Sequence, residues 1–118
     1  MEKSEILIVD DEKDLADSLS FYLHLNGYSP SIALSAAEAI HLVDKNTKLV
    51  ISDICMPGAN GIDMLKKMAE KLGYEPNTIF LSGFTQESHK KLGEVNPLEV
   101  LSKPVDLPKL LNYLRLYV

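Results

Sequence analysis

The chain has 118 residues, near the commonest size of one domain, so it can bury one hydrophobic core but not two. Its 46% hydrophobic and 25% charged residues are typical of a globular protein, and no apolar run approaches the roughly 20 residues that span a bilayer. A net charge of -5 provides no basic surface for nucleic acid. The single cysteine cannot form an internal disulfide, and no signal peptide follows Met1, so we expect a cytoplasmic protein.

Five strand-like apolar runs alternate with helical patterns along the chain. The runs cover residues 6–9, 28–33, 49–52, 78–81 and 100–101. Such alternation is the signature of βα units around a mostly parallel sheet. The second run contains Pro30, which cannot donate to a strand ladder, so we expect this strand at an edge of the sheet. The sequence therefore predicts a doubly wound five-stranded sheet with strand order 2-1-3-4-5.

Each run is followed by a predicted helix with one apolar face. The first helix ends near Gly27, the second opens with a capping box of Ser35 and Glu38, and the fifth starts near Asp106. The fourth, over residues 86–92, is short and weakly apolar. The inward-facing residues are predicted to be Leu15, Leu19, Tyr22, Leu23, Ala36, Ala39, Ile40, Val43, Ile62, Leu65, Ala69, Leu72, Leu107, Leu110, Leu111 and Leu114.

Polar side chains follow the strand-like runs at the points where these end. Asp10 and Asp11 follow the first run, Asp53 the third, Ser82 the fourth and Lys103 the fifth. The carboxyl ends of parallel strands share one edge of a sheet, so we expect these groups to converge. Clustered carboxylates favour a hard cation such as Mg²⁺, which prefers phosphate as a partner. Asp53 can then act as a nucleophile toward phosphorus, with Lys103 and Ser82 contacting the phosphoryl oxygens.

Four segments together carry a resemblance to a known family. Residues 8–12, 53–61, 81–83 and the Lys103-Pro104 pair are similar, in order and spacing, to the motifs of receiver domains of two-component response regulators. The resemblance covers essentially the whole chain, so we expect residues 1–118 to form a single receiver domain with the flavodoxin-like (βα)5 fold.

The resemblance implies a function for each of these motifs. Asp53 is expected to accept a phosphoryl group from a histidine kinase or phosphotransfer protein, or from acetyl phosphate, while Ser82 and Lys103 contact the phosphoryl oxygens. The Lys103–Pro104 peptide is expected to be cis. Asp10 is expected to bind the metal directly or through water. The implied Mg²⁺ ligands are Asp10, Asp11, Asp53 and the backbone carbonyl of Cys55.

Such a domain catalyses only its own phosphorylation and dephosphorylation and is not otherwise an enzyme. Phosphorylation is expected to change its surface for an output domain or partner protein, with homodimerisation possible and no contact with nucleic acid or membrane. Val100 stands where many receivers have an aromatic residue, which predicts output coupling through other parts of the fourth and fifth units. Cys55 and Phe84 flank the site and cannot activate water, so we expect slow self-dephosphorylation. The apolar end at Val118 favours a piece of a longer protein over a stand-alone receiver.

Other interpretations remain open at this point. Asp10 and Asp11 could cap the first helix, Ser82 could belong to an ordinary turn, and Lys103 could be a surface residue. Cys55 is interpreted as a small packing residue, not a redox group. The principal alternative function is an interaction module that keeps the fold but works without phosphorylation. A phosphatase with a nucleophilic Asp is a third possibility, although Cys55 occupies the place of the general acid that this class needs.

Overall fold

A computed structural model describes residues 5–83 and 92–118, which build a parallel sheet with helices on both faces. In chain order the elements are β1 (Ile6–Val9), α1 (Lys13–Leu25), β2 (Ser31–Ala33), α2 (Ala36–Leu42), β3 (Leu49–Asp53), β4 (Cys55–Met56), β5 (Ala59–Asn60), α3 (Gly61–Leu72), β6 (Thr78–Ser82), a 3-10 turn (Leu92–Glu94), β7 (Glu99–Ser102) and α4 (Leu107–Tyr117). The predicted fourth helix, residues 86–92, lies outside the described residues except for Leu92.

The five-stranded sheet has the order β2-β1-β3-β6-β7. Without the short strands β4 and β5, which form a separate antiparallel hairpin, this is the predicted order 2-1-3-4-5. The register sets Asp53 opposite Leu81, and Ser82 opposite Ser102, so the carboxyl ends of neighbouring strands are level. The predicted doubly wound α/β fold is confirmed, and its central strands end at one common edge.

The second strand is an edge strand, as Pro30 predicted, but it is shorter than expected. β2 begins at Ser31, so Pro30 precedes the strand instead of lying within it. A proline at this position leaves no gap in the ladder, because it is placed where no inter-strand bond is needed. The same strand is reached from α1 through Gly27, whose φ of +92° is a conformation that glycine adopts without strain.

Two apolar clusters pack on the two faces of the sheet. The α1 and α4 face includes Leu23, Leu110, Leu111 and Leu114, while the other face is covered by α2 and α3. In α3 the predicted Ile62, Leu65 and Leu72 are buried, and Ala69 is half-buried.

One predicted core position in α1 is wrong. Leu15 is 48% exposed, and the neighbouring Ala16 is fully buried in its place. Ala16 belongs to the apolar cluster on this face of the sheet, where its small side chain fits, and the larger leucine is turned outward.

Within the described parts of the chain, no helix combines the length and apolar character required to cross a bilayer.

Candidate functional site

Three carboxylates come together at the carboxyl edge of the sheet. Asp10 and Asp11 follow β1, and Asp53 is the last residue of β3. One carboxylate oxygen from each lies within 4.8 Å of the other two. Asp10 and Asp53 are only 7% and 8% exposed, whereas Asp11 is open to solvent. The site is therefore a partly buried acidic group with one accessible side.

Asp10 is held in place by its backbone and its side chain. Its N–H donates to the carbonyl of Ala33 at 3.1 Å, which extends the ladder between β1 and β2 by one bond. Its carboxylate accepts a hydrogen bond from the N–H of Glu12 at 2.9 Å. Burial is the main cause that raises the pKa of the Asp10 carboxyl. The charges of Asp53 and Asp11 raise it further, while the Glu12 bond and the Lys103 charge lower it. A cation beside these groups would relieve that repulsion.

Lys103 supplies positive charge to the same site. Its Nζ lies 2.8 Å from Oδ2 of Asp53, while the N–H of Cys55 donates to Oδ1 of Asp53 at 3.3 Å. Burial lowers the pKa of the Lys103 ammonium, but its hydrogen bond with Asp53 and the charges of Asp53 and Asp10 outweigh this and leave the pKa raised. The lysine thus stays charged against Asp53. The peptide between Lys103 and Pro104 is cis, as expected.

Gly61, the first residue of α3, packs directly against the backbone of Asp53. A Cβ at this position would lie 2.9 Å from the Asp53 carbonyl oxygen and 3.0 Å from the ring of Phe80. The Gly61 N–H donates to the carbonyl of Ile54 at 2.8 Å, and the side chain of Asn60 caps the helix. Sequence reasoning did not assign a role to Gly61. A glycine opening an otherwise well-formed helix was the available signal, since alanine is normally preferred there.

The remaining predicted site residues occupy different positions relative to the acidic group. Ser82 ends β6 next to Asp53 and is 3% exposed, with its hydroxyl donating to the Gly83 carbonyl at 2.8 Å. Cys55 begins β4 and its thiol is exposed, so its interpretation as a packing residue is wrong. Val100 is half-buried against the core on the α2 and α3 face. Phe84 lies outside the described residues.

The donor set fits a Mg²⁺ ion. All three side chains offer carboxylate oxygen, which hard divalent cations prefer, and the mutual approach of the three oxygens suits one shared ion. The exposed side of Asp11 leaves room for water and an incoming phosphoryl group, which Mg²⁺ commonly retains as ligands. Asp10, Asp11 and Asp53 could therefore hold this cofactor.

Comparison with known proteins identifies the family and the fold. The family model of the response regulator receiver domain matches residues 6–115. The chain belongs to this family. It is 37% identical over 84 residues to the response regulator SaeR of Staphylococcus aureus, a match that covers 71% of the chain and 36% of SaeR. The chain thus spans about a third of the length of this curated relative.

Solved structures give the same result over nearly the whole length. A response regulator receiver protein from Pseudomonas putida superposes with a TM-score of 0.84 at 28% identity, covering 98% of both chains. A CheY-like receiver domain protein from Methanospirillum hungatei JF-1 gives 0.82 at 26% identity, covering 97% of this chain and 92% of that one. The chain is accordingly a receiver domain, a signalling unit of two-component systems.

Proposed function

We propose that this receiver domain accepts a phosphoryl group on Asp53 and uses it to change its surface for an output partner. The observation that carries the proposal is the Asp53 carboxylate itself. It is nearly buried, lies within 4.8 Å of two further carboxylates, and contacts the Lys103 ammonium at 2.8 Å. A nucleophile between a cation site and a fixed ammonium suits phosphoryl transfer, in which positioning and charge stabilisation supply most of the rate.

In the proposed step, one Asp53 carboxylate oxygen forms a bond to the phosphorus of the donor. With a phosphohistidine of a histidine kinase or phosphotransfer protein, the P–N bond breaks and the imidazole leaves with the electron pair. With acetyl phosphate, a P–O bond breaks and acetate leaves. The product in both cases is an aspartyl phosphate, which water later hydrolyses back to the carboxylate and inorganic phosphate.

The surrounding residues have separate functions in this step. Asp10, Asp11, Asp53 and the Cys55 carbonyl would hold Mg²⁺, which would supply positive charge to the phosphoryl oxygens. Lys103 gives up part of its contact with Asp53 and pairs with the transferred group. Ser82 turns its hydroxyl from the Gly83 carbonyl toward a phosphoryl oxygen, which begins the conformational change.

The downstream partner is an output domain or a separate protein. Phosphoryl transfer to Asp53 takes place in the cytoplasm. Because Val100 stands where many receivers have an aromatic residue, output coupling is assigned to other parts of the fourth and fifth units, with homodimerisation as one form. A Val100→Tyr variant should keep its phosphorylation-dependent partner binding. The phosphate should be long-lived, because neither Cys55 nor Phe84 can activate water, and Cys55→Asn should speed its loss.

The test is the intact mass of the protein after incubation with acetyl phosphate, with and without Mg²⁺. We expect a gain of about 80 Da, one phosphoryl group, only with Mg²⁺ and only when Asp53 is present. Asp53→Asn is the matched variant, because it keeps the side-chain shape and removes the nucleophile. If neither protein forms an adduct, beryllofluoride binding is measured to exclude rapid hydrolysis of the phosphate. Once rapid hydrolysis is excluded, the phosphorylation-independent interaction module replaces this proposal.

A further inference from the structure

Ser52 is a polar residue in an otherwise apolar part of β3. It is 0% exposed and lies on the sheet between Val9 of β1 and Phe80 of β6, both of them core residues. Placing a hydroxyl in such surroundings costs free energy unless a hydrogen bond compensates, and an alanine would avoid that cost. The presence of a buried hydroxyl directly before Asp53 therefore calls for an explanation in terms of what it contacts.

The Ser52 hydroxyl donates to the backbone carbonyl of Asp53 at 2.8 Å. The N–H of the same peptide unit, that of Ile54, donates to the Leu81 carbonyl at 3.0 Å. The Asp53–Ile54 peptide is thus held at its oxygen by Ser52 and at its nitrogen by β6. Gly61 closes the remaining side, where a Cβ would lie 2.9 Å from the Asp53 oxygen.

This peptide is attached directly to the Cα that carries the Asp53 carboxylate. Fixing its plane restricts the backbone ψ angle of Asp53, and thereby the direction in which the side chain leaves the strand. The carboxylate must reach Lys103 through Oδ2 and the Cys55 N–H through Oδ1 at once. We propose that Ser52 is a positioning residue for phosphoryl transfer, acting through the Asp53 carbonyl. This inference rests on the proposed function of Asp53.

Phosphoryl transfer to a carboxylate depends strongly on alignment, because the protein contributes geometry and charge more than covalent chemistry. Small displacements of the nucleophile cost large factors in rate. Loss of the Ser52 hydroxyl should therefore slow phosphorylation on the order of tenfold while leaving the core intact. Ser52→Thr keeps the hydroxyl on a residue that strands favour, and should restore most of the rate.

The chain offers a matched control for deleting a buried hydroxyl. Thr78, at the opposite end of the neighbouring strand β6, is also 0% exposed, and its hydroxyl also donates to a backbone carbonyl, that of Pro76, at 2.9 Å. Thr78→Val removes this bond far from Asp53. It should change the unfolding midpoint about as much as Ser52→Ala does and leave the phosphorylation rate unchanged.

The experiment measures the initial rate of aspartyl-phosphate formation from acetyl phosphate at saturating Mg²⁺, by intact mass, for the wild type, Ser52→Ala, Ser52→Thr and Thr78→Val. Thermal unfolding of each variant is recorded in parallel. The positioning role is supported if Ser52→Ala phosphorylates more slowly than wild type while Ser52→Thr and Thr78→Val keep most of the wild-type rate. A wild-type rate in Ser52→Ala overturns it, as does equal slowing in Ser52→Ala and Ser52→Thr or in Ser52→Ala and Thr78→Val.

A second measurement separates failure of this inference from failure of the proposed function. In the Mg²⁺-free protein, the amide proton shift of Cys55 reports its hydrogen bond to Asp53 by NMR. We expect this shift to move in Ser52→Ala and to stay in Ser52→Thr and Thr78→Val. If the wild type forms no adduct and rapid hydrolysis is excluded, the phosphoacceptor proposal fails. An unmoved Cys55 shift in Ser52→Ala overturns the positioning role independently.

Discussion

The two edges of the sheet differ in how their polar groups are arranged. At the amino edge, polar groups are paired in the adjoining turns: Thr78 donates to Pro76, and the side chain of Glu75 accepts from the N–H of Asn96 at 2.7 Å. Glu99, which opens β7 at the same edge, accepts a hydrogen bond from Tyr113 at 2.7 Å. That bond is the main reason why the pKa of Glu99 is lowered.

At the carboxyl edge the fold gathers like charges instead. The pKa of Asp10 is raised, first by burial and also by the neighbouring Asp53 and Asp11. The pKa values of these two carboxyls are shifted in opposite directions, because Glu99 accepts a hydrogen bond from Tyr113 whereas Asp10 is buried, with two further carboxylates nearby. Carboxyl groups with perturbed pKa values are often found at functional sites, where a bound ligand can balance their charge. We propose the carboxyl edge as the site for a cation and a phosphoryl group, whereas the hydrogen bonds of the amino edge contribute to stability.

Removing the Lys103 ammonium from the carboxyl edge should have the largest effect, on the rate of phosphorylation. Lys103→Met takes away the ammonium that contacts Asp53 and faces the transferred group, so we expect phosphorylation by acetyl phosphate to slow on the order of 100-fold. The rate is measured by intact mass at saturating Mg²⁺. Lys66→Met is the control, because this lysine pairs with Glu94 on the surface and should keep the rate within about twofold of wild type. A wild-type phosphorylation rate in Lys103→Met would show that Lys103 does not assist phosphoryl transfer.

Mg²⁺ should convert the repulsion at the carboxyl edge into stability. At about 100 times its dissociation constant, an ion bound only by the folded state increases the free energy of unfolding by about 2.7 kcal/mol. We expect this gain in urea unfolding of the wild type, and its loss in Asp11→Asn. Without Mg²⁺, Asp11→Asn should be slightly more stable than wild type, because a repelling charge is gone.

Glu70→Gln serves as the control for the Mg²⁺ measurement, since it neutralises an exposed carboxylate of α3 outside the acidic group. It should keep the full gain in stability. An equal gain in wild type and Asp11→Asn would show that Mg²⁺ does not bind at this edge.

A substitution at Gly61 should reverse the usual effect of replacing a helical glycine. Alanine normally stabilises a helix by up to about 1 kcal/mol, but here its Cβ would meet the Asp53 carbonyl at 2.9 Å. We expect Gly61→Ala to destabilise the protein by about 1–3 kcal/mol, the usual cost of overpacking, in urea unfolding. Gly93→Ala, where no atom of the described residues beyond its chain neighbours lies within 4 Å of the added Cβ, should change stability by less than about 0.5 kcal/mol. Equal effects at the two glycines would contradict the close approach.

The contrast between the edges also shows what the sequence could predict. The alternation of apolar runs and amphipathic helices, with Pro30 at the edge, was sufficient for the strand order, because the connection rules leave few alternatives. The same order brought Asp10, Asp11, Asp53 and Lys103 together. Their functional assignment remains a prediction that the phosphorylation experiments test.

What the sequence did not predict depends on contacts between distant segments, on hydrogen bonds to the backbone, or on segments too short for periodicity. The hairpin of β4 and β5 has two residues in each strand, below the length at which alternation is visible. Gly61 and Ser52 act on the Asp53 backbone, and a backbone contact leaves no side-chain pattern. Leu15 was misplaced because periodicity favours large apolar residues, whereas the small Ala16 fits against the sheet.

The smallest expected effect sharpens the comparison from the amino edge. Because the folded state lowers the pKa of Glu99, its bond with Tyr113 contributes stability above the ordinary carboxyl pKa of 4.5, and this contribution is lost as the pH falls through the folded value. Tyr113→Phe removes the donor. Its urea midpoint should therefore lie below wild type at pH 7, by roughly a few tenths molar, and approach the wild-type midpoint at pH 3. Tyr74→Phe, at an exposed tyrosine, should follow wild type at both pH values. If the urea midpoint of Tyr113→Phe lies equally far below wild type at pH 3 and pH 7, the tyrosine ring stabilises the protein by packing. Glu99 would then not be a carboxylate stabilised by a hydrogen bond, and the contrast with Asp10 would not hold.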